Sequence, residues 1–512
     1  MEKNLKKAFD YHQNNHFSKA EKKYNEIIKA DSKNHQALTL LGTLKLQQGD
    51  LDSAEFFLNK SLDINRNQFL AHQNIGIVFS KKKNYQRAIC SLDECLKQNP
   101  NYFHAYNEKG YILYELQKYH EAITTFKKAI LLNPFFAESY NNLGNCYREL
   151  GNAEDAKQNF TKALQINKNF YEANINLGNS YKDINDLEKA KIYYQNAIEC
   201  NSNNSLAKYN LSLINLSEAN FIDGWEDFKH RWHDTKKPFF CNEIRELNDM
   251  NINSNILVWG EQGIGDHIIF SSLLSDFNES QNITAALDKR LLSIFKRSFK
   301  NINFIDIDNI GNLKKYDYQI SVADLGLYLR PKIASFNKQP YSFLKSDKDI
   351  KEEFKKEINC NKKICGISWR SKNKSFGHLK SIDLIELEPI LKMQKYLFVD
   401  LQYGNTEEEI KLIKSKINLN LFSPYNLDKF NDLEGLAALI DVCDIIITCC
   451  NITAHLAGSL GKETFLMTPF SMGGLWYWQG KDKSIWYPSV KIFKQNKYGA
   501  WNDVITNIQK QL

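Results

Sequence analysis

Small residues return every 34 positions through the first 200 residues of this chain. The two series are Gly42, Gly76, Gly110, Gly144 and Gly178, and Ala20, Ala54, Ala88, Ala122, Ala156 and Ala190. A small side chain is needed where the two helices of a hairpin cross closely, because a larger one would force them apart. The interval therefore predicts a stack of helical hairpins, each 34 residues long.

Each predicted unit ends at an asparagine. The asparagines are Asn99 and Asn133, each before a proline, and Asn65, Asn167 and Asn201, which lack one. A 34-residue helix-turn-helix unit of this pattern is identified as a tetratricopeptide repeat. We predict five full repeats over about 35–204 and a degenerate repeat on either side. Residues 1–232 would then form an α superhelix.

A stack of such repeats presents a concave groove, which predicts binding of a peptide or protein partner. A spacer or a dimerisation arm is the alternative. Six asparagines are expected on the groove-lining helices: Asn74, Asn107, Asn141, Asn142, Asn174 and Asn176. Their amides could bind a peptide backbone, although for any one of them a solvated helix surface is the simpler expectation.

Composition restricts the function classes. The net charge of +7 comes from 67 basic and 60 acidic residues spread over the chain without a block of like charges, so a nucleic-acid tail is not expected. The ten cysteines lack metal-like spacing, which favours a reducing compartment. No apolar stretch is long enough for a membrane span, and we expect a cytoplasmic protein.

The period stops after Trp232, and residues 233–254 are predicted to be a linker. Strand-like apolar runs then alternate with helical patterns, which is typical of parallel sheets. A charged break at 338–362 separates two sets, so we predict two Rossmann-like domains, 255–345 and 346–512, facing each other across a cleft. The predicted strands are 256–259, 283–287, 302–307, 318–322, 364–369, 396–401, 444–449 and 464–467.

The first of these strands runs into the sequence GEQGIGDH, residues 260–267. The glycine spacing is not that of dinucleotide enzymes, so a nicotinamide site is a weak hypothesis. Gly263 and Gly265 would still permit a tight turn and the close approach of a ligand at the end of the strand. Asp266 is predicted to be either the helix N-cap or a general base, and the spacing does not decide between them.

A second candidate segment, CCNITAHLAGSLG, covers residues 449–461. A helix beginning near Ile452 would offer free N–H groups and the positive end of its dipole to a phosphate. Asn451 and Thr453 could either donate to that ligand or cap the helix. His455 lies one turn further on, and it is either a ligand contact or a packed core residue.

Several stretches together resemble the tetratricopeptide-fused glycosyltransferases of the heptosyltransferase-like group, which are similar in layout to protein O-GlcNAc transferase. They are ILVWGEQGIGDHIIF (256–270), GISWRS (366–371) with LKSI (379–382), FVDLQYG (398–404) and TAHLAGSLG (453–461). The junction GWEDFKHRW (224–232) and the closing segment 474–495 also look similar to this group.

The resemblance implies a GT-B fold, with the acceptor at the first Rossmann-like domain and a nucleotide-sugar at the second. Asp266 corresponds to the catalytic aspartate that deprotonates the acceptor hydroxyl. The residues implied for donor binding are Arg370, Lys380, Asn451, Thr453, Ala454 and His455. The pair Cys450-Asn451 departs from the Asp-Thr of heptosyltransferases, and this leaves the sugar and the nucleotide open.

The resemblance predicts a glycosyltransferase that works by metal-independent inverting transfer, with the nucleotide-sugar as substrate and no separate cofactor. The repeats suggest a protein or peptide acceptor. A metal-dependent enzyme would need a DxD motif, which Asp306–Asp308 matches superficially, although a turn at a strand end is the preferred interpretation. The alternative function is a non-catalytic scaffold with a degenerate transferase domain. A nicotinamide oxidoreductase is the weaker third class.

Overall fold

The computed structural model describes residues 2–248, 254–277, 282–373, 377–471, 474–478, 480 and 482–512. The chain divides into two compact units. The first consists of Met1–Ser180 with Glu199–Ser202, and the second consists of Tyr181–Ile198 with Asn203–Leu512.

Paired helices make up the first 228 residues. They are α1 (Glu2–Gln13), α2 (Phe17–Ala30), α3 (His35–Gln47), α4 (Leu51–Ile64), α5 (Phe69–Lys81), α6 (Tyr85–Gln98), α7 (Phe103–Glu115), α8 (Tyr119–Leu132), α9 (Ala137–Glu149), α10 (Ala153–Ile166), α11 (Tyr171–Asp183), α12 (Leu187–Cys200), α13 (Ser205–Ser217) and α14 (Phe221–Phe228). Their bounds repeat at the predicted period, so a solenoid of helical hairpins is confirmed.

The repeating glycines lie where the two helices of a hairpin touch. A Cβ on Gly110 would lie 2.7 Å from the ring of Phe126, and one on Gly144 would lie 2.6 Å from the ring of Phe160. At Gly76 the neighbour is Leu92, at 2.9 Å. Close packing of the second helix is thus the reason for glycine at these positions.

The asparagines at the ends of the repeats each make the same local turn. The side-chain oxygens of Asn65, Asn99, Asn133 and Asn167 accept from the backbone N–H two residues later, at 3.0 to 3.3 Å. Each of these residues is the first non-helical residue after the second helix of its hairpin. An asparagine turn of this kind stops the helix whether or not a proline follows.

Three of the six asparagines that were expected on the groove are buried. Asn107, Asn141 and Asn174 are buried, and the simple expectation of exposed helix surface was wrong for them. Asn142 donates to the Oδ1 of Asn107 at 3.3 Å, and Asn176 donates to that of Asn141 at 2.9 Å. Hydrogen bonds between successive repeats therefore occupy part of their amide groups, because buried polar groups need partners.

Eleven strands are present in the part of the chain that the structure describes. They are β1 (Arg245–Glu246), β2 (Asn255–Trp259), β3 (Asn282–Leu287), β4 (Asn303–Asp306), β5 (Tyr318–Ser321), β6 (Lys363–Ser368), β7 (Tyr396–Asp400), β8 (Leu421–Phe422), β9 (Ile445–Cys449), β10 (Glu463–Thr468) and β11 (Val490–Lys494). All eight predicted strands are found, with ends that differ by at most one residue.

The α-helices of this part lie between the strands or follow the last one. They are α15 (Ile264–Ser271), α16 (Leu292–Ser298), α17 (Leu325–Leu329), α18 (Lys348–Ile358), α19 (Gly377–Lys380), α20 (Glu388–Leu391), α21 (Glu407–Lys416), α22 (Leu433–Val442), α23 (Ile452–Ser459) and α24 (Asn502–Gln509). The predicted charged break contains α18, whose apolar residues face inward from an otherwise polar helix.

The strands form two sheets, and every pairing within them is parallel. The first has the order β1-β5-β2-β3-β4, and the second has the order β11-β10-β9-β6-β7-β8. Their central strands are almost fully buried, as expected for parallel sheets. The predicted linker contributes the edge strand β1. Residues 249–253 of the linker lie outside the described part of the chain.

Candidate functional site

Asp266 occupies the third position of α15, directly after the turn that follows β2. This turn, Gly260–Gly265, is called the glycine turn below. The Oδ2 of Asp266 accepts from the backbone N–H of Gly263 at 3.1 Å, and its Oδ1 accepts from the hydroxyl of Tyr477 at 3.1 Å. Gly263 is the N-cap residue, so the prediction of Asp266 as the N-cap was wrong: Asp266 is the third helical residue and accepts from the N–H of the cap residue.

The half-buried carboxyl group of Asp266 has a perturbed acidity. Burial raises the pKa of Asp266 from 3.8 to about 6, although the hydrogen bonds from Gly263 and Tyr477 oppose this rise. The charge of Glu261 raises the pKa further, and that of Lys380 lowers it. A carboxylate with a pKa near 6 is a stronger base than an ordinary aspartate and is still ionised at neutral pH.

Close packing accounts for two of the glycines in the glycine turn. A Cβ on Gly260 would lie 2.4 Å from the ring of His267, and one on Gly265 would lie 2.8 Å from the ring of His455. The left-handed backbone angle falls on Gln262, with φ of 56°, whereas Gly263 is extended. The predicted turn is therefore present, and its glycines make room for two histidine rings.

Asn451 begins the helix α23 and has little capacity left for a ligand. Its Oδ1 accepts from the N–H of Thr453 at 3.0 Å, and its amide nitrogen donates to Ser368 Oγ at 2.7 Å and to the carbonyl of Arg370 at 3.0 Å. Asn451 was predicted to be either a ligand donor or a helix cap, and in the structure it is the N-cap of α23. The residue also ties the start of α23 to the loop after β6.

Thr453 and Ala454 follow in the first turn of α23, and both are buried. The hydroxyl Oγ1 of Thr453 is enclosed without a hydrogen-bond partner among the described residues. The N–H of Ala454 donates to the carbonyl of Asn451 at 3.1 Å. An orphaned hydroxyl is unusual in a folded protein, and this one lies at the positive end of a helix.

His455 is enclosed by aromatic rings. Its Nδ1 lies 3.2 Å from the hydroxyl of Tyr487, and the rings of Tyr477 and Trp478 pack against it. Burial lowers the pKa of His455 to about 3, and the charge of Lys380 contributes in the same direction. The imidazole is therefore neutral at physiological pH and packs against the glycine turn at Gly265.

Lys380 ends the short helix α19 and is only 5% exposed. Its ammonium group has no hydrogen bond or ion pair within the described part of the chain. Its charge nevertheless lowers the pKa of Asp266, His455 and Cys450. A buried cation without a counter-ion is costly, and it is usually retained to bind an anion.

Arg370 differs from Lys380 because its side chain already has partners. Its Nη1 pairs with Glu409 Oε1 at 2.9 Å, and its Nη2 donates to the carbonyl of Asn405 at 2.8 Å. Its backbone N–H and carbonyl are held by the side chain of Gln402. The structure thus brings Asp266, Lys380 and the start of α23 together, while the guanidinium of Arg370 faces Glu409.

Three contributors to this site were not singled out from the sequence. Tyr477 bonds to Asp266, Gln402 organises the loop after β6, and Arg231 contacts the glycine turn through Glu261. All three lie inside stretches on which the sequence resemblance was based: Arg231 in 224–232, Gln402 in 398–404 and Tyr477 in 474–495. Only the tertiary contacts reveal what each side chain does.

The Asp306–Asp308 motif forms the expected turn at the end of β4. The Oδ1 of Asp306 accepts from the N–H of Asp308 at 3.1 Å, so this carboxylate is engaged locally. Across the described ranges no cluster of three or more histidine, cysteine, aspartate or glutamate side chains is arranged to hold a metal ion. No helix in the portion of the chain with assigned structure is long and apolar enough to cross a membrane.

Comparison with known proteins identifies the repeats. Tetratricopeptide-repeat family models match residues 5–68, 137–170 and 171–204, and a TPR-repeat model matches 110–147. The chain therefore carries tetratricopeptide repeats. Protein FlbA of Caulobacter vibrioides is 26% identical over 332 residues, which cover 60% of this chain and 55% of that protein. The chain thus spans about half the length of this curated relative.

Solved structures of repeat proteins are similar to part of the chain. MamA is 25% identical, over 31% of this chain and 94% of its own, with a TM-score of 0.29. PilF of Pseudomonas aeruginosa is 22% identical, over 38% and 88%, with a TM-score of 0.34. YrrB, described as a TPR protein with an unusual peptide-binding site, is 21% identical, over 36% and 95%, with a TM-score of 0.30.

Proposed function

We propose that this chain is a glycosyltransferase of the GT-B type, which moves a sugar from a nucleotide-sugar to an acceptor hydroxyl without a metal ion. One observation carries the proposal. The charge of the buried Lys380, which has no partner among the described residues, acts on Asp266 and lowers its pKa, while burial of Asp266 raises that pKa. A cation for a leaving diphosphate and a base for a hydroxyl are the two groups that this reaction needs.

In this proposal Asp266 removes the proton of the acceptor hydroxyl as the oxygen attacks the anomeric carbon. The C–O bond to the diphosphate breaks on the opposite side of that carbon, so the anomeric configuration is inverted. Tyr477 and Gly263 hold the two carboxylate oxygens, which limits rotation of the base. Because the pKa is about 6, Asp266 is ionised at neutral pH and can accept the proton.

The leaving diphosphate gains negative charge as the sugar departs. In this proposal Lys380 and the first turn of α23 stabilise that charge, and the orphaned hydroxyl of Thr453 donates to a phosphate oxygen. Asn451 acts indirectly, because its contacts to Ser368 and Arg370 fix the start of the helix. His455 supports the glycine turn by packing and takes no part in proton transfer.

The tetratricopeptide repeats support a protein or peptide acceptor in this proposal, since repeats of this kind form partner-binding grooves. All ten cysteines are free thiols, and this supports a cytoplasmic location.

The proposed function is tested by donor binding followed by transfer. Thermal shifts of the whole chain with UDP-, GDP-, ADP- and CMP-sugars should reveal one nucleotide class that stabilises it. Lys380→Met should abolish this shift, whereas Lys462→Met, which removes a lysine paired with Asp441, should retain it. Asp266→Asn should keep donor binding and lose transfer. Absence of any shift would favour the non-catalytic scaffold, and unchanged turnover of Asp266→Asn would exclude this residue as the base.

A further inference from the structure

Arg231 is a fully buried arginine in the 3-10 helix Lys229–Trp232, which directly follows the last helical hairpin. Its guanidinium forms a two-point ion pair with Glu261, with distances of 2.6 Å from Nε and 2.8 Å from Nη2. It also donates to Asp324 at 2.7 Å, to Ser321 at 2.8 Å and to the carbonyl of Phe228 at 3.0 Å. All five N–H groups of the guanidinium are therefore used.

Glu261 is the second residue of the glycine turn, and it is itself 4% exposed. The turn continues through the left-handed Gln262 to Gly263, whose N–H donates to Asp266. A non-glycine residue at positive φ is strained, and it persists only where surrounding contacts enforce the conformation. The clamp of Arg231 on Glu261 is such a contact, one residue before the strained position.

We infer that Arg231 is a positioning residue: through Glu261 it holds the glycine turn in the conformation that presents Asp266 to the acceptor. The inference rests on the proposed function and extends it to the segment that ends the repeats. Arg231 itself would contact neither the nucleotide-sugar nor the acceptor. The guanidinium makes five hydrogen bonds to four residues, and these include Phe228 of the last helical hairpin and Glu261 of the glycine turn.

Arg330 supplies a matched control. Its side chain is equally buried and also uses five N–H groups, on Asp276, Gln339 and the carbonyl of Leu329. None of these partners belongs to the glycine turn. Replacement by lysine keeps the charge of either arginine and removes the two-point geometry, so both variants should lose similar stability. Only Arg231→Lys should change the position of the Asp266 carboxylate.

The experiment compares Arg231→Lys, Glu261→Gln and Arg330→Lys in the full chain, at a temperature where all three are folded. Arg231→Lys should lower kcat about 10²-fold with the donor KM nearly unchanged, since small misplacements of a reacting group have effects of this size. Glu261→Gln removes a charge that raises the pKa of Asp266, so the acidic limb of its pH profile should move to lower pH. Arg330→Lys should leave both kcat and the position of the acidic limb of the pH profile unchanged.

Hydrogen exchange of the backbone amides in residues 260–267 gives a readout that does not need transfer. Exchange there should increase in Arg231→Lys and remain at the parent level in Arg330→Lys. Equal exchange in the two variants, or a parent-like kcat together with a parent-like pH limb in Arg231→Lys, would overturn the inference. A parent chain that neither binds a nucleotide-sugar nor transfers sugar would refute the proposed function, and the exchange comparison would still decide the role of Arg231.

Discussion

The hydroxyl of Tyr477 donates to the Oδ1 of Asp266 at 3.1 Å, although the two residues are 211 positions apart in the chain. Tyr477 belongs to the short 3-10 helix Trp476–Trp478, and Asp266 belongs to the helix after β2. The hydrogen bond stabilises the ionised carboxylate and therefore lowers its pKa, against the larger effect of burial. Tyr477 thus adjusts the strength of the proposed base.

The first prediction concerns the pH dependence of transfer. With a pKa of about 6, Asp266 is increasingly protonated below pH 6, so kcat/KM should fall about tenfold per pH unit there and level off above it. Tyr477→Phe removes a hydrogen bond that lowers this pKa, so its acidic limb should lie at higher pH than that of the parent. Initial rates between pH 4.5 and 8.5 measure both limbs. Coincident limbs in the two proteins would contradict the assigned role of Tyr477.

The second prediction concerns stability. Because the pKa of Asp266 rises from 3.8 to about 6 on folding, the folded state binds the proton more tightly, and stability is lost as pH increases between these values. Asp266→Asn should therefore gain stability over the parent between pH 4 and 7. At about 1.4 kcal/mol per pKa unit, and reduced for partial exposure, the gain should be about 1–2 kcal/mol.

Tryptophan fluorescence is suited to this measurement, because all eight tryptophans lie between Trp225 and Trp501 and report only on the second unit. Urea unfolding at pH 4 and pH 7 gives the free energies of unfolding. Asp308→Asn serves as the control, since it makes the same change of side chain at an exposed position outside the candidate site. A gain of Asp266→Asn that is equal at both pH values would exclude the linkage.

The third prediction concerns Lys380. A buried ammonium that forms no ion pair with any described residue destabilises the ligand-free fold, so Lys380→Met should raise the free energy of unfolding by about 1 kcal/mol. The same variant should lose the stabilisation that inorganic pyrophosphate confers on the parent. Fluorescence-monitored unfolding with and without pyrophosphate tests both effects. A variant that is less stable than the parent without ligand would show that Lys380 has a structural role.

The fourth prediction concerns the repeats. A valine at Gly144 would meet the ring of Phe160, which lies 2.6 Å from the position of a Cβ. Overpacking of this kind costs about 1–3 kcal/mol, which exceeds the small gain in helix propensity over glycine. Circular dichroism should therefore show a lower melting temperature for Gly144→Val. Glu149→Val, at an exposed position of the same helix, should melt close to the parent.

Local patterns allowed much of the fold to be predicted from the sequence. The interval between Gly110 and Gly144 reflects a contact inside one hairpin, and the same contact recurs at Gly42 and Gly76. The strands around Leu257 and Ile446 are continuous apolar runs, because parallel strands are buried on both faces. Three edge strands, β1, β8 and β11, were missed. Two of them, β1 and β8, have only two residues, which is too short to give an apolar run.

For the candidate site too, some features could be predicted from the sequence and others could not. The sequence by itself determined the repeats, the strands and the positions of Asp266 and Asn451 at the starts of their helices, because these depend on residues close together in the chain. Only the tertiary structure decided that Lys380 lacks a partner within the described residues, that Arg370 faces Glu409 and that Arg231 clamps Glu261. Charge pairing and burial depend on residues that meet through folding, and spacing along the chain does not encode them.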